Sequence, residues 1–338
     1  MNPVRVLVVD DSSFARELIT AILSEDRDIA VAGHAVNGAD ALKKVEELRP
    51  DIVTMDIDMP VMDGLEAISR IMSSHALPIL VVTSRADANT AYHAISKGAL
   101  EVIPKPDVNA ASAAEFSRKV RLLARVRVIS HIRRDSSSRM EMLPRTGGNR
   151  PGKLVAIASS TGGPKALSHL LSALPEYFPC PIMVAQHIAP DFVSGLVNWL
   201  DKIVPLKVKS GVRGEMLMPG TVYISPSEKH MRAEQGKRIG FTPAQAGDIY
   251  FPSCNILLTS AAEVYGAGSI GVILTGMGDD GISGLQAVKN AGGFTIAQDE
   301  QTSVIFGMPR VAIEKGCVDK VLPIHKIAEE LMLRVAEK

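Results

Sequence analysis

Twice along this chain, apolar runs of strand length alternate with segments of helical periodicity, and this alternation constrains the fold more than any other feature. Near the N-terminus the run Val4–Val9 precedes the helical segment Phe14–Leu23, and the run Ile29–Ala35 precedes the segment Ala39–Leu48. Such alternation predicts βαβ units around a parallel sheet, and continuous apolar strands fit a sheet covered on both faces. Three further strands are expected at Ile52–Met55, Leu77–Val82 and Glu101–Ile103.

A second block of the same alternation starts after about residue 150. Its expected strands are Lys153–Ala158, Pro181–Ala185, Val222–Ser225, Ser269–Leu274 and Phe294–Ala297, and its expected helices include Pro164–Leu174, Ile256–Val264 and Leu285–Ala291. The short runs Leu206–Lys209 and Met231–Ala233 suggest an antiparallel insertion. A chain of 338 residues suffices for two domains of ordinary size, so we expect two α/β domains with mostly parallel, doubly wound sheets.

The charge distribution divides the chain into three parts although the net charge is zero. Residues 1–117 carry 10 basic and 18 acidic side chains, whereas residues 118–150 carry 10 basic and 2 acidic ones. The segment Ser112–Val128 looks like a last helix, and from about Ser130 to Arg150 periodicity fades into a Ser-, Gly-, Pro- and Arg-rich stretch typical of a linker. We therefore expect domains at 1–125 and 151–338 and a basic flexible linker at 126–150.

Several protein classes are excluded by composition. The three cysteines are far apart with no C-x-x-C pair, which excludes zinc ribbons and redox dithiols and suggests a reducing compartment. No stretch approaches the roughly 20 apolar residues of a membrane span, and the N-terminus does not resemble a signal peptide. The neutral whole-chain charge disfavours nucleic acid as a partner. We expect a cytoplasmic protein without membrane insertion.

In the first block, polar residues follow four of the expected strands. Asp10 and Asp11 follow the first strand, Asp56 the third, Thr83 the fourth and Lys105 the fifth. Since ligands of an open α/β sheet bind beyond the carboxyl ends of its strands, these groups should converge. Three carboxylates together suit Mg²⁺, and a carboxylate beside Mg²⁺ and a lysine is a plausible phosphoryl acceptor. Each aspartate alone could equally cap a helix or solvate a loop.

In the second block, three strand ends carry groups typical of nucleophilic catalysis. Ser159 and Ser160 follow the apolar run LVAIA and precede two glycines. His187 follows IMVAQ, and Asp279 and Asp280 follow GVILTGMG. A serine at a strand-to-helix turn lies beside free helix amides that can stabilise an oxyanion. Histidine could then take the serine proton and aspartate could orient the imidazole. Taken singly, these residues could instead be a helix cap, a surface histidine and a turn, and the glycines could cradle a phosphate.

Residues 1–125 resemble the receiver domain of bacterial two-component response regulators, through VLVVDDS, DIVTMDIDMPVMDG, ILVVTS and IPKP. The resemblance implies a flavodoxin-like, five-stranded parallel sheet and a cis bond before Pro106. One departure is Val102, where many receivers carry an aromatic switch residue. By resemblance Asp56 is the phosphorylation site, Thr83 and Lys105 are the phosphate-switch residues, and Mg²⁺ is held by Asp10, Asp11, Asp56 and the carbonyl of Asp58.

The second block is similar to the catalytic domain of the CheB family, the chemotaxis response regulators with protein-glutamate methylesterase activity. The matching motifs include ASSTGGP, AQHIAPDF, LTGMGDDG and FGMP. The family pattern selects Ser160 over Ser159 as nucleophile and Asp280 over Asp279 as orienting residue, with His187 as general base. Thr161, Gly162 and Met277 are then the oxyanion candidates, with no cofactor at the esterase site. At Cys254 and Asn255 the family often has an apolar residue and Asp, and we expect this departure to affect substrate contacts more than the triad.

The resemblance implies hydrolysis of glutamate γ-methyl esters on methyl-accepting chemotaxis receptors, and deamidation of receptor glutamines. A chemotaxis histidine kinase would phosphorylate Asp56 and so relieve inhibition by the receiver domain. Two other classes remain open at this point. A DNA-binding response regulator would need a helix-turn-helix pattern, which the βα repetition disfavours, and a non-catalytic adaptor would dock on receptors without releasing methanol.

Overall fold

The computed structural model describes residues 2–84, 91–107, 109–126, 128, 152–245 and 247–337. Within them the chain forms two α/β units, each built on its own parallel sheet. The linker expected at 126–150 lies almost entirely outside the described residues, so the domain boundaries stay a prediction. None of the helices in these ranges combines the length and the apolarity that crossing a membrane requires.

The N-terminal unit is built on five strands that pair in parallel. The strands are β1 (Val4–Val9), β2 (Ile29–Ala35), β3 (Ile52–Met55), β4 (Ile79–Thr83) and β5 (Glu101–Pro104), and the helices are α1 (Ser13–Ser24), α2 (Gly38–Leu48), α3 (Gly64–Ser74), α4 (His93–Ser96) and α5 (Ala110–Leu123). The sheet order is β2-β1-β3-β4-β5. The chain leaves β1 toward β2 and then returns to the other side of β1 with β3, so the carboxyl ends of β1 and β3 flank the point where ligands bind in such sheets.

The helices of this unit begin where the sequence supplies a capping side chain. Ser12 Oγ accepts a hydrogen bond from the amide of Ala15 at 3.3 Å, and Asn37 Oδ1 accepts one from the amide of Asp40 at 2.9 Å. These bonds satisfy amides that the first helical turn leaves without a partner. Helix α1 then buries Ile19 and Leu23 against the sheet.

Helix α3 begins in close contact with the backbone at the end of β3. A Cβ atom on Gly64 would lie 2.0 Å from the carbonyl oxygen of Asp56 and 2.9 Å from the Cα of Ile57. The Gly64 amide donates to the Ile57 carbonyl at 2.8 Å. A glycine is therefore required for the helix to approach the segment that carries Asp56.

The C-terminal unit is built on a seven-stranded parallel sheet. Its strands are β6 (Leu154–Ser159), β7 (Ile182–Gln186), β8 (Lys207–Ser210), β9 (Thr221–Ile224), β12 (Ser269–Ile273), β13 (Phe294–Gln298) and β14 (Lys320–Leu322), and a separate antiparallel pair is formed by β10 (Lys229–Glu234) and β11 (Arg238–Pro243). The helices are α6 (Gly163–Ser172), α7 (Val193–Ile203), α8 (Cys254–Tyr265), α9 (Ile282–Asn290), α10 (Met308–Glu314) and α11 (Ile324–Ala336), with 3₁₀ turns at Pro190–Phe192 and Gly266–Gly268. The order β14-β13-β12-β6-β7-β9-β8 puts the topological switch between β12 and β6.

Two sequence expectations about local structure are wrong. The run Leu206–Lys209 is not part of an antiparallel insertion, because β8 pairs in parallel with β9 at the edge of the main sheet. The crossover through α7 accounts for this, since a strand that returns after a helix runs parallel to the strand before it. Met231–Ala233 does lie in an antiparallel pair, with the unpredicted strand β11 as its partner. The last helix of the N-terminal unit ends at Leu123 rather than Val128.

The two units pack against each other through apolar side chains. One buried cluster contains Val81 and Tyr92 of the N-terminal unit together with Leu167 and Leu196 of the C-terminal unit. The ring of Tyr92 stacks on that of Trp199, with centroids 5.9 Å apart and planes at 22°. The indole nitrogen of Trp199 also donates to Ser96 Oγ at 3.3 Å. The end of α4 is thus held against the C-terminal unit.

We expect Gly64→Ala to destabilise the N-terminal unit by about 1–3 kcal/mol, because the added methyl meets backbone atoms that cannot move independently. Gly33→Ala is the matched control. Its Cβ would lie 2.7 Å from the side-chain end of Leu48 and at an ordinary 3.9 Å from Leu7 Cδ1, with no backbone atom in the way, so the cost should stay below about 1 kcal/mol. Thermal unfolding of the full chain, followed by calorimetry, measures both. Equal melting temperatures for the Gly64 variant and the unsubstituted chain would contradict the proposed contact.

Candidate functional site

The three aspartates that follow β1 and β3 converge at one edge of the N-terminal sheet. Carboxylate oxygens of Asp10, Asp11 and Asp56 all lie within 4.8 Å of one another. Asp10 and Asp56 are buried, whereas Asp11 is exposed. Burial, with the charge of Asp10 adding to it, raises the pKa of Asp56. A hard divalent cation fits these oxygen ligands, since it would neutralise carboxylates that otherwise repel one another.

Lys105 and Thr83 complete this group from the two neighbouring strand ends. The ammonium of Lys105 lies 2.7 Å from Asp10 Oδ2 and 2.7 Å from Asp56 Oδ2. Burial opposes the charged form of Lys105, but its hydrogen bonds and charge interactions with the two aspartates outweigh that effect and raise its pKa. The Thr83 hydroxyl is fully buried and has no hydrogen-bond partner among the described residues. An unpaired buried hydroxyl here is available to an additional oxygen ligand.

Three further expectations for the N-terminal unit concern Asp58, Val102 and the peptide bond before Pro106. Asp58 is exposed two residues after Asp56, and its role as a carbonyl ligand stays a prediction. Val102 is buried in the apolar cluster that joins the two units. The expected cis bond before Pro106 is wrong: that bond is trans, the form X–Pro bonds ordinarily favour, and the cis X–Pro bond of the described residues is Phe251–Pro252.

In the C-terminal unit, the adjacent serines after β6 have different environments. Ser159 is fully buried and its hydroxyl donates to Gln186 Oε1 at 2.7 Å. Ser160 lines a cleft, and its amide donates to the Thr275 carbonyl at 3.1 Å. Gly162 has a φ of 76°, which L side chains rarely adopt, and it makes the sharp turn into α6. Of the two hydroxyls, the one belonging to Ser160 is therefore accessible.

Gln186 links the two neighbouring strand ends. Its side-chain amide donates to the Ser160 carbonyl at 2.8 Å and to the His187 carbonyl at 2.9 Å. Its Oε1 accepts the Ser159 hydroxyl. The turn that carries Ser160 is thereby fixed relative to the residue that follows β7, and a buried network of this kind restrains both backbones.

The carboxylate of Asp280 holds His187. His187 Nε2 lies 2.8 Å from Asp280 Oδ2, and the amides of Cys254 and Asn255 donate to the same carboxylate at 2.6 and 2.9 Å. Burial disfavours the charged form, but the hydrogen bond and charge of His187 and the two amides outweigh burial and lower the pKa of Asp280. Asp280 is therefore an ionised acceptor at the N-terminus of α8, where the helix dipole also favours negative charge.

The expectation for Cys254 and Asn255 is wrong, because both residues contact the triad rather than an open substrate surface. Cys254 is fully buried, and its Sγ lies 3.5 Å from His187 Nε2. Burial raises the pKa of its thiol well above the usual value. Asn255 Oδ1 accepts hydrogen bonds from the amides of Gly281 and Gly284, each at 3.0 Å. Asn255 thus attaches the start of α9, next to Asp280, to α8.

Tyr250 also contacts the imidazole of His187 and restrains its orientation. Its ring stacks on His187 with centroids 5.1 Å apart and planes at 9°. Its hydroxyl donates to Asp279 Oδ1 at 2.9 Å. Asp279 is exposed and Asp280 is buried, so the two adjacent aspartates have separate partners.

Two of the three oxyanion candidates line the catalytic-site cleft. Thr161 and Met277 line the cleft with Ser160 and His187, and Gly162 follows at the start of α6. Among the residues that the structure describes, the backbone amides of Thr161, Gly162 and Met277 donate no hydrogen bond within the protein. These amides are available to an oxygen atom of a bound molecule.

One cleft of about 880 Å³ connects the two candidate sites. On one side it is lined by Thr83, Lys105 and Lys119 of the N-terminal unit, and on the other by Ser160 and His187. The N-terminal unit therefore forms part of the wall of the cleft that the candidate nucleophile, Ser160, also lines.

Gln186, Tyr250 and the amides of α8 were not predicted from the sequence as parts of the site. Gln186 carried a signal, since it is a polar residue in an otherwise apolar strand directly before His187. Tyr250 and the α8 amides carried none, because they reach His187 and Asp280 through the tertiary fold and not through sequence spacing.

Comparison with known proteins agrees with this architecture. Residues 155–331 match the family model for the CheB methylesterase, and residues 6–113 match the model for the response regulator receiver domain. The chain belongs to the CheB methylesterase family. This bears out the family resemblance and the fold class drawn from the sequence, with a receiver domain at the N-terminus and a mostly parallel α/β domain after it.

Two relatives align with this chain over nearly its whole length, and one solved structure aligns with its C-terminal part. A protein of Paramagnetospirillum magneticum named protein-glutamate methylesterase/protein-glutamine glutaminase 3 is 45% identical, over 97% of this chain and 95% of its own length. A similarly named protein of Anaeromyxobacter dehalogenans is 42% identical, over 98% and 96%. The crystal structure of the Thermotoga maritima CheB methylesterase catalytic domain shares 44% identity and a TM-score of 0.52, covering 54% of this chain and 98% of that one.

Proposed function

We propose that this CheB-family protein hydrolyses γ-methyl esters of glutamate residues on chemoreceptors, releasing methanol. The observation that carries the proposal is the cleft that Ser160 and His187 both line, next to the His187–Asp280 hydrogen bond. The whole-chain relatives named as methylesterases support the same activity. We further propose that the chain consists of a receiver domain at 1–125, a linker at 126–150 and a catalytic domain at 151–338.

The pairing of His187 assigns its two nitrogens to separate tasks. With Nε2–H donating to Asp280, Nδ1 keeps its lone pair and can accept the Ser160 proton. Asp280 stays ionised, fixes this tautomer and stabilises the imidazolium that forms. Among the described residues the imidazole of His187 bonds to Asp280 and Cys254 and not to Ser160, and such nucleophile–base contacts are often long until substrate binds.

The reaction then proceeds by two acyl transfers. Ser160 Oγ attacks the ester carbonyl and gives its proton to His187, and free amides at Thr161, Gly162 and Met277 stabilise the oxyanion. Collapse breaks the bond to the methoxy oxygen, which leaves as methanol with the proton from His187. Water, deprotonated by His187, cleaves the acyl-enzyme and restores Ser160 and a glutamate. Attack on a glutamine side chain follows the same steps and releases ammonia, so the protein would also act as a glutaminase.

The receiver would regulate this reaction through phosphorylation of Asp56 by a chemotaxis histidine kinase. Asp10, Asp11, Asp56 and the Asp58 carbonyl would hold Mg²⁺, which neutralises the charge of the incoming phosphoryl group. Lys105 and the unpartnered Thr83 hydroxyl would bind the phosphoryl oxygens. We infer that the receiver narrows access to the cleft until phosphorylation loosens its contact with the catalytic domain. The stacking of Tyr92 on Trp199 supports this inference.

The proposed partners are therefore methyl-accepting chemotaxis receptors as substrates and a histidine kinase as phosphoryl donor. We also propose a cytoplasmic location. Its support is the chemistry of Cys180, Cys254 and Cys317, which are all free and buried, as is usual in a reducing compartment.

Ser160→Ala should lower methanol release from methylated receptors by roughly 10⁶-fold, the scale of nucleophile removal in a serine protease. Ser159→Ala is the control, because its hydroxyl is buried and serves only Gln186. It should cost less than roughly tenfold, as expected for one lost hydrogen bond. A larger loss of activity in the Ser159 variant than in the Ser160 variant would show that Ser159, and not Ser160, is the nucleophile.

Asp56→Asn should abolish covalent labelling of the chain by a small-molecule phosphodonor with Mg²⁺, while leaving the basal esterase rate. Asp58→Asn is the matched control, since its proposed ligand is the backbone carbonyl and its side chain is exposed. Labelling should persist in that variant. If the Asp56 variant still formed an acid-stable, base-labile phosphoryl adduct, another residue would be the acceptor.

A further inference from the structure

Three side chains of different chemistry meet at the base of the catalytic cleft. Ligand atoms of His187, Cys254 and Asp280 all lie within 4.8 Å of one another. Nε2 of the histidine is 2.8 Å from the carboxylate and 3.5 Å from the thiol sulfur. The catalytic steps proposed above use the histidine and the carboxylate but have no task for the thiol.

We propose that His187, Cys254 and Asp280 form an inhibitory binding site for a soft divalent cation such as Zn²⁺. A tetrahedral Zn²⁺ with Zn–N of about 2.0 Å and Zn–S of about 2.3 Å places neighbouring ligand atoms roughly 3.3–3.6 Å apart. The sulfur-to-nitrogen distance already falls in this range, and the nitrogen-to-oxygen distance must open by about 0.5 Å. The fourth position would be taken by water.

Charge balance favours the bound ion. The Cys254 thiol gives up its proton to solvent, so that a thiolate and the Asp280 carboxylate together neutralise the dication. The imidazole stays neutral, because its proton moves from Nε2 to Nδ1 as Nε2 becomes a ligand. One Zn²⁺ is taken up and one proton is released, with no change of oxidation state. Cys254 and Asp280 are buried while His187 lines the cleft, so the ion enters past the imidazole.

Inhibition follows from the position of the imidazole proton. Once Nδ1 carries the imidazole proton, His187 has no free lone pair to accept the Ser160 proton, even if substrate still binds in the cleft. Mg²⁺ should not act in this way, since it prefers oxygen ligands and suits the carboxylates of the receiver instead. This consequence rests on the proposed esterase mechanism, whereas binding of the ion does not.

Binding is tested on the full chain with Co²⁺ as a spectroscopic probe and Zn²⁺ as its competitor. We expect a near-ultraviolet thiolate-to-Co²⁺ charge-transfer band that added Zn²⁺ abolishes. Cys254→Ser and Cys254→Ala should both lose this band and bind Zn²⁺ at least about tenfold more weakly, whereas Cys180→Ser, which changes another free buried cysteine, should keep it. A wild-type chain without the band, or a band that survives in both Cys254 variants, would overturn the site.

Inhibition is tested by methanol release, with each variant compared with its own metal-free rate. Zn²⁺ should lower the wild-type rate more than tenfold, a chelator should restore it, and Mg²⁺ should have no such effect. The Cys254 variants should need at least tenfold more Zn²⁺ for the same fractional loss. Equal sensitivity of wild type and Cys254 variants would overturn the inhibitory role. A Cys254-dependent band with an undiminished rate would support the metal site and count against His187 as the general base.

Discussion

The carboxylate of Asp280 is the group on which the geometry of the catalytic unit depends. It accepts hydrogen bonds from His187 and from the first amides of α8, and Asn255 attaches the following glycines to the same helix. A buried carboxylate is costly unless such partners surround it. Because the partners come from two chain segments and the carboxylate from a third, the charge can be satisfied only when β7, α8 and the loop after β12 are all in place.

The strand order explains how distant residues reach this carboxylate. β12, β6 and β7 are adjacent in the sheet, so the residues that follow them meet at one edge although they lie up to 120 positions apart. The same rule gathers Asp10, Asp56, Thr83 and Lys105 in the receiver. Parallel strands cannot be joined by tight turns, and the helices that join them leave the carboxyl ends of the strands open for chemistry.

Much of this arrangement could be predicted from the sequence, and the failures have physical causes. Strand-length apolar runs ending in Asp56 or His187 predicted both the sheets and the residues at their edges. The parallel pairing of β8 could not be predicted, since a four-residue run has the same composition in either orientation. Tyr250 and the Cys254 thiol were missed as neighbours of His187, because the sequence does not state which loop folds over a strand end.

The contact between the two domains joins residues that are far apart in the sequence. The one tryptophan of the chain lies in this contact and can report on it. Trp199 stacks on Tyr92 and donates to Ser96, both in the receiver. The decisive measurement is intrinsic tryptophan emission of the full chain, recorded with methanol release while a phosphodonor and Mg²⁺ are added. Emission should shift to longer wavelength as the rate rises, and both changes should vanish in Asp56→Asn. A rise in rate with unchanged emission would contradict control of the cleft through this contact.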